Sequence, residues 1–238
     1  MTGQRRIGLL GGTFDPIHMG HLDLADAASR ALGLTDLLVI PANVPPHRAK
    51  PLTSAFHRFA MVAVAVAGRA GWRACDVELR HESPSYTATT LRRFHERGYE
   101  PSELVFLIGA DAFASINTWR DYPHILDRAH FGVVSRPRFP VGELPRRFPE
   151  LAARMAVPVP DAPLSASPSI FLVDAHTADV SSTTIRTVLA NGGSVSGMLD
   201  PRVQEHIEQH GLYRDSVHVR GGSDDIRSAP AGRLHGQD

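Results

Sequence analysis

The chain alternates between short apolar runs and longer segments in which apolar residues recur every three or four positions. Short continuous apolar runs are typical of buried strands, and a period near 3.6 residues is typical of helices. Strands are predicted at residues 7–10, 37–40, 74–79, 104–108, 131–134 and 170–174. Helices are predicted at residues 21–32, 56–67, 87–97, 182–190 and 202–209. The second of these helices is apolar nearly all round, which predicts a buried helix.

Strands that alternate with helices of this length predict an α/β fold, a Rossmann-like doubly wound parallel sheet with helices on both faces. Ligands of such sheets bind at the carboxyl ends of the strands. The loops at those ends are residues 11–21, 41–50 and 109–119. We therefore expect the functional residues to lie in these three loops.

The chain becomes irregular in two places. Residues 136–169 are rich in proline, and one basic helix is predicted inside them at 144–155. After Tyr213 the sequence is polar and rich in glycine, a composition that does not support a packed core. We predict a single domain over residues 1–215 and a disordered tail over residues 216–238.

Composition narrows the class of protein. The chain has 238 residues and one cysteine, Cys75, so it cannot form an internal disulfide, and a reducing cytoplasm is expected. Its 25 Lys and Arg residues balance 25 Asp and Glu residues, which gives no support for nucleic-acid binding. No apolar run is long enough for a signal peptide or a membrane span. Small phosphorylated ligands need only a local cluster of cations and stay compatible with this balance.

The first loop carries a pair of histidines, His18 and His21, at the expected start of a helix. Residues three apart share one helix face, and a helix N-terminus attracts phosphate through its N–H groups and its dipole. Gly11 and Gly12 would let the backbone approach a ligand, and Gly20 would leave room for a ring or a phosphate. The loop is therefore predicted to bind phosphate.

Other phosphate and metal sites fit this loop less well. Its glycines do not match G-x-G-x-x-G, and it lacks the Gly-Lys-Ser/Thr ending of a Walker A loop. Two histidines three apart also suit a metal ion, which would need further ligands, and Asp15 is the only carboxylate nearby in sequence. A histidine-metal hydrolase therefore stays open at this point.

Three further segments offer groups for a phosphorylated substrate. Stiff prolines precede His47, Arg48 and Lys50, a set that suits a phosphate clamp or an ordinary solvated loop. Asp111 follows the central strand, where an acidic group suits a ribose hydroxyl or a metal-bound phosphate. Trp119 suits either ligand stacking or core packing.

The last segment places hydroxyl residues and an arginine at a helix start. Ser181 or Ser182 would cap the helix, and Arg186 lies within its first turns. Capping explains the serines but not the arginine. The segment is therefore predicted to form a second anion site.

Taken together and in order, these pieces resemble a known family. Gly11-Gly-Thr-Phe-Asp-Pro-Ile-His18-Met-Gly-His21 resembles the signature of the nucleotidyltransferase superfamily with the His-x-Gly-His motif. Within it, residues 5–213 closely resemble bacterial nicotinate-nucleotide adenylyltransferases. The supporting segments are Pro41-Ala-Asn-Val-Pro-Pro-His-Arg48, Ser83-Pro-Ser-Tyr-Thr87, Phe106-Leu-Ile-Gly-Ala-Asp111, Trp119, Arg136-Pro137, Ser181-Ser-Thr-Thr-Ile-Arg186 and His210-Gly-Leu-Tyr213.

The resemblance implies a reaction. ATP and nicotinate mononucleotide would give nicotinate adenine dinucleotide and pyrophosphate, a step in NAD synthesis, with Mg²⁺ carried by the ATP phosphates. The nucleophile is a phosphate that is already ionised at neutral pH, so no general base is needed. Catalysis would then rest on positioning and on stabilising charge at the α-phosphate.

The resemblance also implies residue roles. The catalytic residues would be His18, His21 and Arg186. The ATP site would comprise Gly11, Gly12, Thr13, Phe14, His18, His21, Gly109, Asp111, Ser181, Ser182, Thr183 and Arg186. The nicotinate mononucleotide site would comprise His47, Arg48, Thr87 and Trp119, with Trp119 stacked on the pyridine ring. No metal ligand is implied in the protein itself, and a homo-oligomer stays open.

The chain departs from the family pattern at Arg138, where a glycine is usual, and the segment from there to Ser181 is longer than is typical. Three alternatives accompany the main prediction. One is an adenylyltransferase for nicotinamide mononucleotide or phosphopantetheine, which the Pro-Pro-His-Arg and Ser-Tyr-Thr segments disfavour. The others are the histidine-metal hydrolase and a nucleotide sensor without catalysis.

Overall fold

We describe residues 5–45, 51–159 and 162–214 in a computed structural model of the chain. The strands form one seven-stranded sheet, in which every pair is parallel and the order is β3-β2-β1-β4-β5-β7-β6. They are β1 (Ile7–Gly12), β2 (Asp36–Pro41), β3 (Trp72–Ala74), β4 (Leu104–Gly109), β5 (His130–Val134), β6 (Met155–Ala156) and β7 (Ile170–Val173). The predicted Rossmann-like parallel sheet is confirmed.

Helices cover both faces of this sheet. They are α1 (Met19–Leu32), α2 (Ala55–Val66), α3 (Thr87–His95), α4 (Ala110–Phe113), α5 (Leu144–Arg147), α6 (Ser182–Ala190) and α7 (Pro201–Gln209). Side chains of α1, α2, α6 and α7 share one core cluster, and those of α3, α4 and α5 share the other. Leu9 and Leu10 on β1 belong to opposite clusters, because successive strand residues point to opposite faces. The sheet is therefore doubly wound.

Helix ends follow the expected local chemistry. Gly33 ends α1 in the left-handed conformation, with φ at 56°. The Ser181 and Asp200 side chains cap α6 and α7, and Pro201 occupies the first turn of α7, where its missing N–H costs little. These caps fix where the elements that carry the site begin and end.

The strand predicted at residues 74–79 is wrong for most of its length. Only Trp72–Ala74 pairs with β2, and the Cys75 N–H then donates to the Val39 carbonyl. The Asp76 carbonyl accepts the N–H groups of Leu79 and Arg80, so the backbone turns there. The alternation of apolar and polar residues that suggested a strand includes Val77, which is buried in the core although it lies in a turn.

The basic helix predicted at residues 144–155 is split. Its first part is α5, and a 3-10 helix follows at Pro149–Arg154 before the short strand β6. A proline disfavours the helical conformation of the residue before it, and Phe148 has φ −129° and ψ 70°. Pro149 therefore ends the helix that the basic residues suggested.

Helix α2 is not buried all round. Phe56 in its first turn is 86% exposed, whereas Arg58 is only 1% exposed. The Arg58 guanidinium donates to the carbonyls of Thr13 and Ala42 at 2.7 and 2.6 Å. The charged residue is therefore inside because it satisfies backbone groups, which periodicity does not reveal.

Within the described part of the chain, no helix is both long and apolar enough to cross a membrane. The predicted tail, residues 216–238, lies outside the described residues. The domain boundary at residue 215 therefore stays a prediction.

Candidate active site

The candidate site lies at the point in the sheet where the strand order reverses, between β1 and β4. Strand β1 has β2 on one side and β4 on the other, and α1 and the helix after β4 leave toward opposite faces. In such sheets a crevice opens at the carboxyl ends of these two strands. The turn from Thr13 to His18 begins at the end of β1 and leads into α1.

The two histidines of the turn are stacked. The ring centroids of His18 and His21 are 3.7 Å apart, with 29° between their planes. The backbone N–H of His18 donates to Nδ1 of His21 at 3.3 Å. Because Nδ1 accepts this bond, a neutral His21 carries its hydrogen on Nε2. His21 is therefore prepared to act as a hydrogen-bond donor at Nε2.

His18 is held in its neutral form. Its side chain is only 3% exposed, and burial followed by the nearby charge of Arg136 lowers its pKa to about 3. Its Nδ1 atom has no hydrogen-bond partner among the described residues. A buried polar atom without a partner is costly, so His18 is a candidate for a functional role rather than a structural one.

This low pKa predicts acid sensitivity. An unfolded His18 takes up a proton near pH 6.5, but the folded one does so only near pH 3, so stability present above pH 6.5 is lost as the pH falls. Between these values, each pH unit costs about 1.4 kcal/mol from this residue. Urea unfolding of the wild type and of His18→Asn from pH 7 to pH 4.5 measures how steeply the free energy of unfolding depends on pH. We expect a shallower slope in the variant, while His124→Asn, an exposed control, keeps the wild-type slope.

The carboxylate of Asp15 holds the turn in place. It accepts the Leu52 N–H at 2.8 Å and the hydroxyls of Thr53 and Tyr213 at 2.7 Å each. Burial raises the pKa of Tyr213, which keeps this hydroxyl protonated and able to donate. Asp15 is therefore a structural anchor with its acceptor oxygens engaged.

This arrangement bears on the alternative of a histidine-metal hydrolase. Asp15 is committed to the protein, and His18 and His21 belong to no group of three metal-ligating side chains among the described residues. Catalytic zinc sites typically use three protein ligands. The geometry therefore does not support this alternative.

Gly20 serves a different purpose from the one that its sequence position suggests. A side chain there would lie 2.8 and 3.2 Å from the guanidinium nitrogens of Arg136 and 3.0 Å from the Ala178 carbonyl. Arg136 also donates to the Gly20 carbonyl at 2.9 Å. The expectation that Gly20 leaves room for a ligand is wrong, because the protein's own cation fills this space.

Arg136 is the functional candidate that sequence reasoning did not assign. Its aliphatic carbons lie 3.0 and 3.2 Å from where a side chain on Gly109 would begin, and its guanidinium reaches the start of α1. It follows the carboxyl end of β5, so the rule that ligands bind at strand ends could have singled it out.

Gly12 and Phe14 form a packing unit. A side chain on Gly12 would come within 2.8 Å of the Phe14 ring, so the glycine lets this ring lie over the strand end. Phe14 has φ 51° and is 1% exposed, and its ring meets His21 edge to face at 5.0 Å. Phe14 therefore packs against the His21 ring. Because its own ring is buried, only its backbone is available to a ligand.

The predicted second anion segment does lie against the histidine turn. Ser181 caps α6 by accepting the Thr184 N–H, as ordinary capping predicts. The Ser182 hydroxyl donates to the Pro16 carbonyl at 2.9 Å, and Arg186 donates to the Asp15 carbonyl at 2.7 Å. Arg186 therefore holds the turn that leads to the histidine pair through one nitrogen of its guanidinium.

A second group of predicted residues lies near the end of β1 on the opposite face of the sheet from α1 and α6. The Trp119 ring is partly buried and meets Phe106 edge to face at 6.1 Å. This contact corresponds to the core-packing alternative for Trp119. The neighbouring Arg120 lies over the Tyr86 ring at 4.8 Å, directly before Thr87. Phe106 in turn lies 3.6 Å from the position of a side chain on Gly11. Trp119 and Thr87 therefore share one region, next to the end of β1.

The predicted clamp residues His47 and Arg48, with Lys50, lie outside the described residues. The chain on their N-terminal side is positioned, since Ser85 N–H donates to the Val44 carbonyl at 2.9 Å.

Gly109 and Asp111 lie at the end of β4, where Asp111 is exposed in the first turn of α4. Arg138, which replaces the usual glycine, has φ 67°. Glycine adopts this left-handed conformation without strain, so the family preference has a physical reason. The exposed Arg138 side chain forms an ion pair with Asp179 at 3.5 Å.

Comparison with known proteins gives relatives over most of the chain. The Cytidylyltransferase-like family profile matches residues 9–188. A protein of Aeromonas hydrophila named probable nicotinate-nucleotide adenylyltransferase is 40% identical over 210 residues, covering 87% of this chain and 97% of the relative. One of Desulfatibacillum aliphaticivorans with the same name is 37% identical over 217 residues, covering 87% and 99%.

Solved structures share the fold. Plasmodium falciparum nicotinic acid mononucleotide adenylyltransferase complexed with NaAD superposes with a TM-score of 0.68 at 19% identity, covering 88% of this chain and 97% of that one. The same protein complexed with APC gives a TM-score of 0.67. At this identity the likeness concerns the fold, whereas the closer sequence relatives establish the family. The chain belongs to the nicotinate-nucleotide adenylyltransferases, within the Cytidylyltransferase-like nucleotidyltransferases.

Proposed function

We propose that this enzyme transfers the adenylyl group of ATP to nicotinate mononucleotide, giving nicotinate adenine dinucleotide and pyrophosphate in NAD synthesis. The observation that carries the proposal is the stacked pair His18 and His21 at the start of α1, in a turn whose carbonyls accept from two cations, Arg136 at Gly20 and Arg186 at Asp15. The family membership supports the same reaction.

The chemistry needs donors rather than a base. An oxygen of the nicotinate mononucleotide phosphate attacks the α-phosphorus of ATP, a new P–O bond forms, and the bond to pyrophosphate breaks. The attacking oxygen is already ionised, so no proton has to be removed. A His18 with a pKa of about 3 is neutral at physiological pH and suits hydrogen-bond donation to an oxygen that gains charge.

The proposed ATP site is centred on the histidine pair. His18, His21 and Arg186 would contact the phosphates, and the backbone from Gly11 to Phe14 would form the wall beside them. The remaining residues proposed for ATP are Gly109, Asp111, Ser181, Ser182 and Thr183. Since Ser181 caps α6 and Ser182 bonds to Pro16, their contribution would be to place the N-terminus of α6 rather than to bind directly.

Mg²⁺ would accompany the nucleotide. Magnesium is commonly held by substrate phosphates, water and one or two carboxylates. Among the described residues, no cluster of three carboxylates faces the histidine pair, and Asp15 is engaged elsewhere. These residues fit a metal carried by the ATP phosphates, where it would neutralise their charge.

Nicotinate mononucleotide would bind beside Thr87 and Trp119, with His47 and Arg48 as the proposed phosphate clamp. If Trp119 stacks on the pyridine ring, Trp119→Ala raises KM for nicotinate mononucleotide about tenfold or more, since stacking of a base on an aromatic ring is worth roughly 1–3 kcal/mol. Steady-state kinetics measures this change. Trp72→Ala, at the far edge of the sheet, is the matched control and leaves this KM unchanged.

A substrate comparison tests the proposed function as a whole. The enzyme is mixed with ATP, Mg²⁺ and, in turn, nicotinate mononucleotide, nicotinamide mononucleotide or phosphopantetheine, and pyrophosphate release is followed. The nicotinate form is expected to have the highest kcat/KM. Faster turnover of either other substrate would contradict the substrate assignment, and ATP binding without turnover of any would favour a nucleotide sensor. A cytoplasmic location also stays a proposal, based on the single cysteine.

A further inference from the structure

Three histidines converge at a place that the reaction does not use. His57 lies in the first turn of α2, while His206 and His210 lie one turn apart at the end of α7. One ring nitrogen from each lies within 4.8 Å of the other two. Nδ1 of His57 and Nε2 of His206 are 3.2 Å apart. Among the described residues this is the one such group of three metal-ligating side chains.

The spacing matches a metal site. Two ligands of a tetrahedral zinc ion, each at about 2.05 Å, stand roughly 3.3 Å apart. The distance between His57 and His206 has this value already. A hydrogen bond between these two rings would also explain it, but not the third ring, His210, whose centroid lies 4.9 and 4.4 Å from theirs.

The His57 and His206 rings are half-buried between the two helices, and the neutral imidazole is the form that binds metal. His210 is exposed at the helix end, where its ring has room to turn toward the other two.

We propose that His57, His206 and His210 bind one divalent transition-metal ion, best matched by Zn²⁺ with water as its fourth ligand. The ion would link α2 to α7, away from the histidine pair at the start of α1. Three imidazole nitrogens suit zinc, whereas the Mg²⁺ that accompanies ATP prefers oxygen ligands. The two metals would therefore not compete for one site.

Helices α2 and α7 are also next to residues that hold the turn from Thr13 to His18. Arg58, next to His57 in sequence, donates to the Thr13 carbonyl at 2.7 Å. Tyr213, three residues after His210, donates to the Asp15 carboxylate at 2.7 Å. The metal would thus stabilise the scaffold around the turn without touching the substrates.

Metal titration of the full-length, untagged protein tests this site. After EDTA treatment and dialysis, we expect one equivalent of Zn²⁺ to bind with a Kd in the micromolar range or below, and Co²⁺ to give the visible absorption of a low-symmetry site. At a Zn²⁺ concentration of a hundred times Kd, the melting temperature rises by about 5 °C. No binding of either ion at 100 times the protein concentration would overturn the proposal.

Variants locate the metal. His206→Gln and the exposed His210→Gln are each expected to weaken Zn²⁺ binding at least about tenfold, because even outer-shell changes at metal sites cost 10–100-fold. His124→Gln, an exposed histidine elsewhere, keeps the wild-type affinity. Unchanged affinity in both ligand variants would place the ion elsewhere and overturn the assignment. Turnover with Mg²⁺ and ATP in the metal-free variants stays at the wild-type value, which separates this site from the proposed reaction.

Discussion

Replacing His21 with alanine lowers kcat by at least about a hundredfold, equivalent to roughly 2.7 kcal/mol of transition-state stabilisation. The expected loss follows from the tautomer set by the His18 N–H, which places the hydrogen of a neutral His21 on Nε2, the atom that would donate to an oxygen gaining charge in the proposed reaction. Single-turnover and steady-state kinetics with saturating ATP and nicotinate mononucleotide measure it. KM changes are expected to be smaller, because the interaction strengthens in the transition state.

Two controls separate this role from a structural one. Thermal unfolding of His21→Ala should stay cooperative, since only one ring of the stacked pair is lost and the hydrophobic core is intact. His124→Ala, an exposed histidine, keeps full turnover. A kcat within threefold of the wild-type value in His21→Ala would refute the proposed donor role.

The largest effect on stability is expected at Arg58. Its buried guanidinium donates to the carbonyls of Thr13 and Ala42, and more distantly to that of Asn43 at 3.4 Å. Arg58→Met keeps much of the side-chain length but leaves these carbonyls without their donor. Since breaking buried charged interactions costs several kcal/mol, we expect the free energy of unfolding to fall by about 3 kcal/mol or more.

Urea unfolding at pH 7.5 measures this loss. The matched control is Arg30→Met, because Arg30 is 72% exposed and pairs with Asp26 on the surface of α1. Exposed pairs contribute about 1 kcal/mol or less, so this variant should unfold close to the wild type. Equal losses in the two variants would show that the carbonyl contacts of Arg58 contribute little.

Sequence reasoning predicts the sheet well because the central strands are buried on both faces. Strands β1, β4 and β5 read as uninterrupted apolar runs, and every residue of β4 is buried. Prediction fails where a single residue redirects the backbone, as Asp76 does in a turn and Pro149 does in a helix. In both cases the pattern of residue types gives no sign that the conformation changes.

The site is predicted only in part, for a related reason. His18 and His21 are close in sequence, so their motif shows them together. Arg136 reaches Gly20 across 116 positions, and Arg58 reaches Thr13 across 45. Such contacts depend on tertiary packing, which local patterns do not encode. The role expected for Gly20 was wrong for the same reason, because a distant side chain fills its space.

The bond between Tyr213 and Asp15 has a consequence for how the protein is made. The two residues are separated by 198 positions, so the carboxylate that anchors the first loop finds its last donor near the end of the described chain. During synthesis from the N-terminus, the strands and α1 leave the ribosome long before Tyr213 does. The histidine turn is therefore completed late, and a nascent chain stopped before Tyr213 would carry both histidines on an unfinished support.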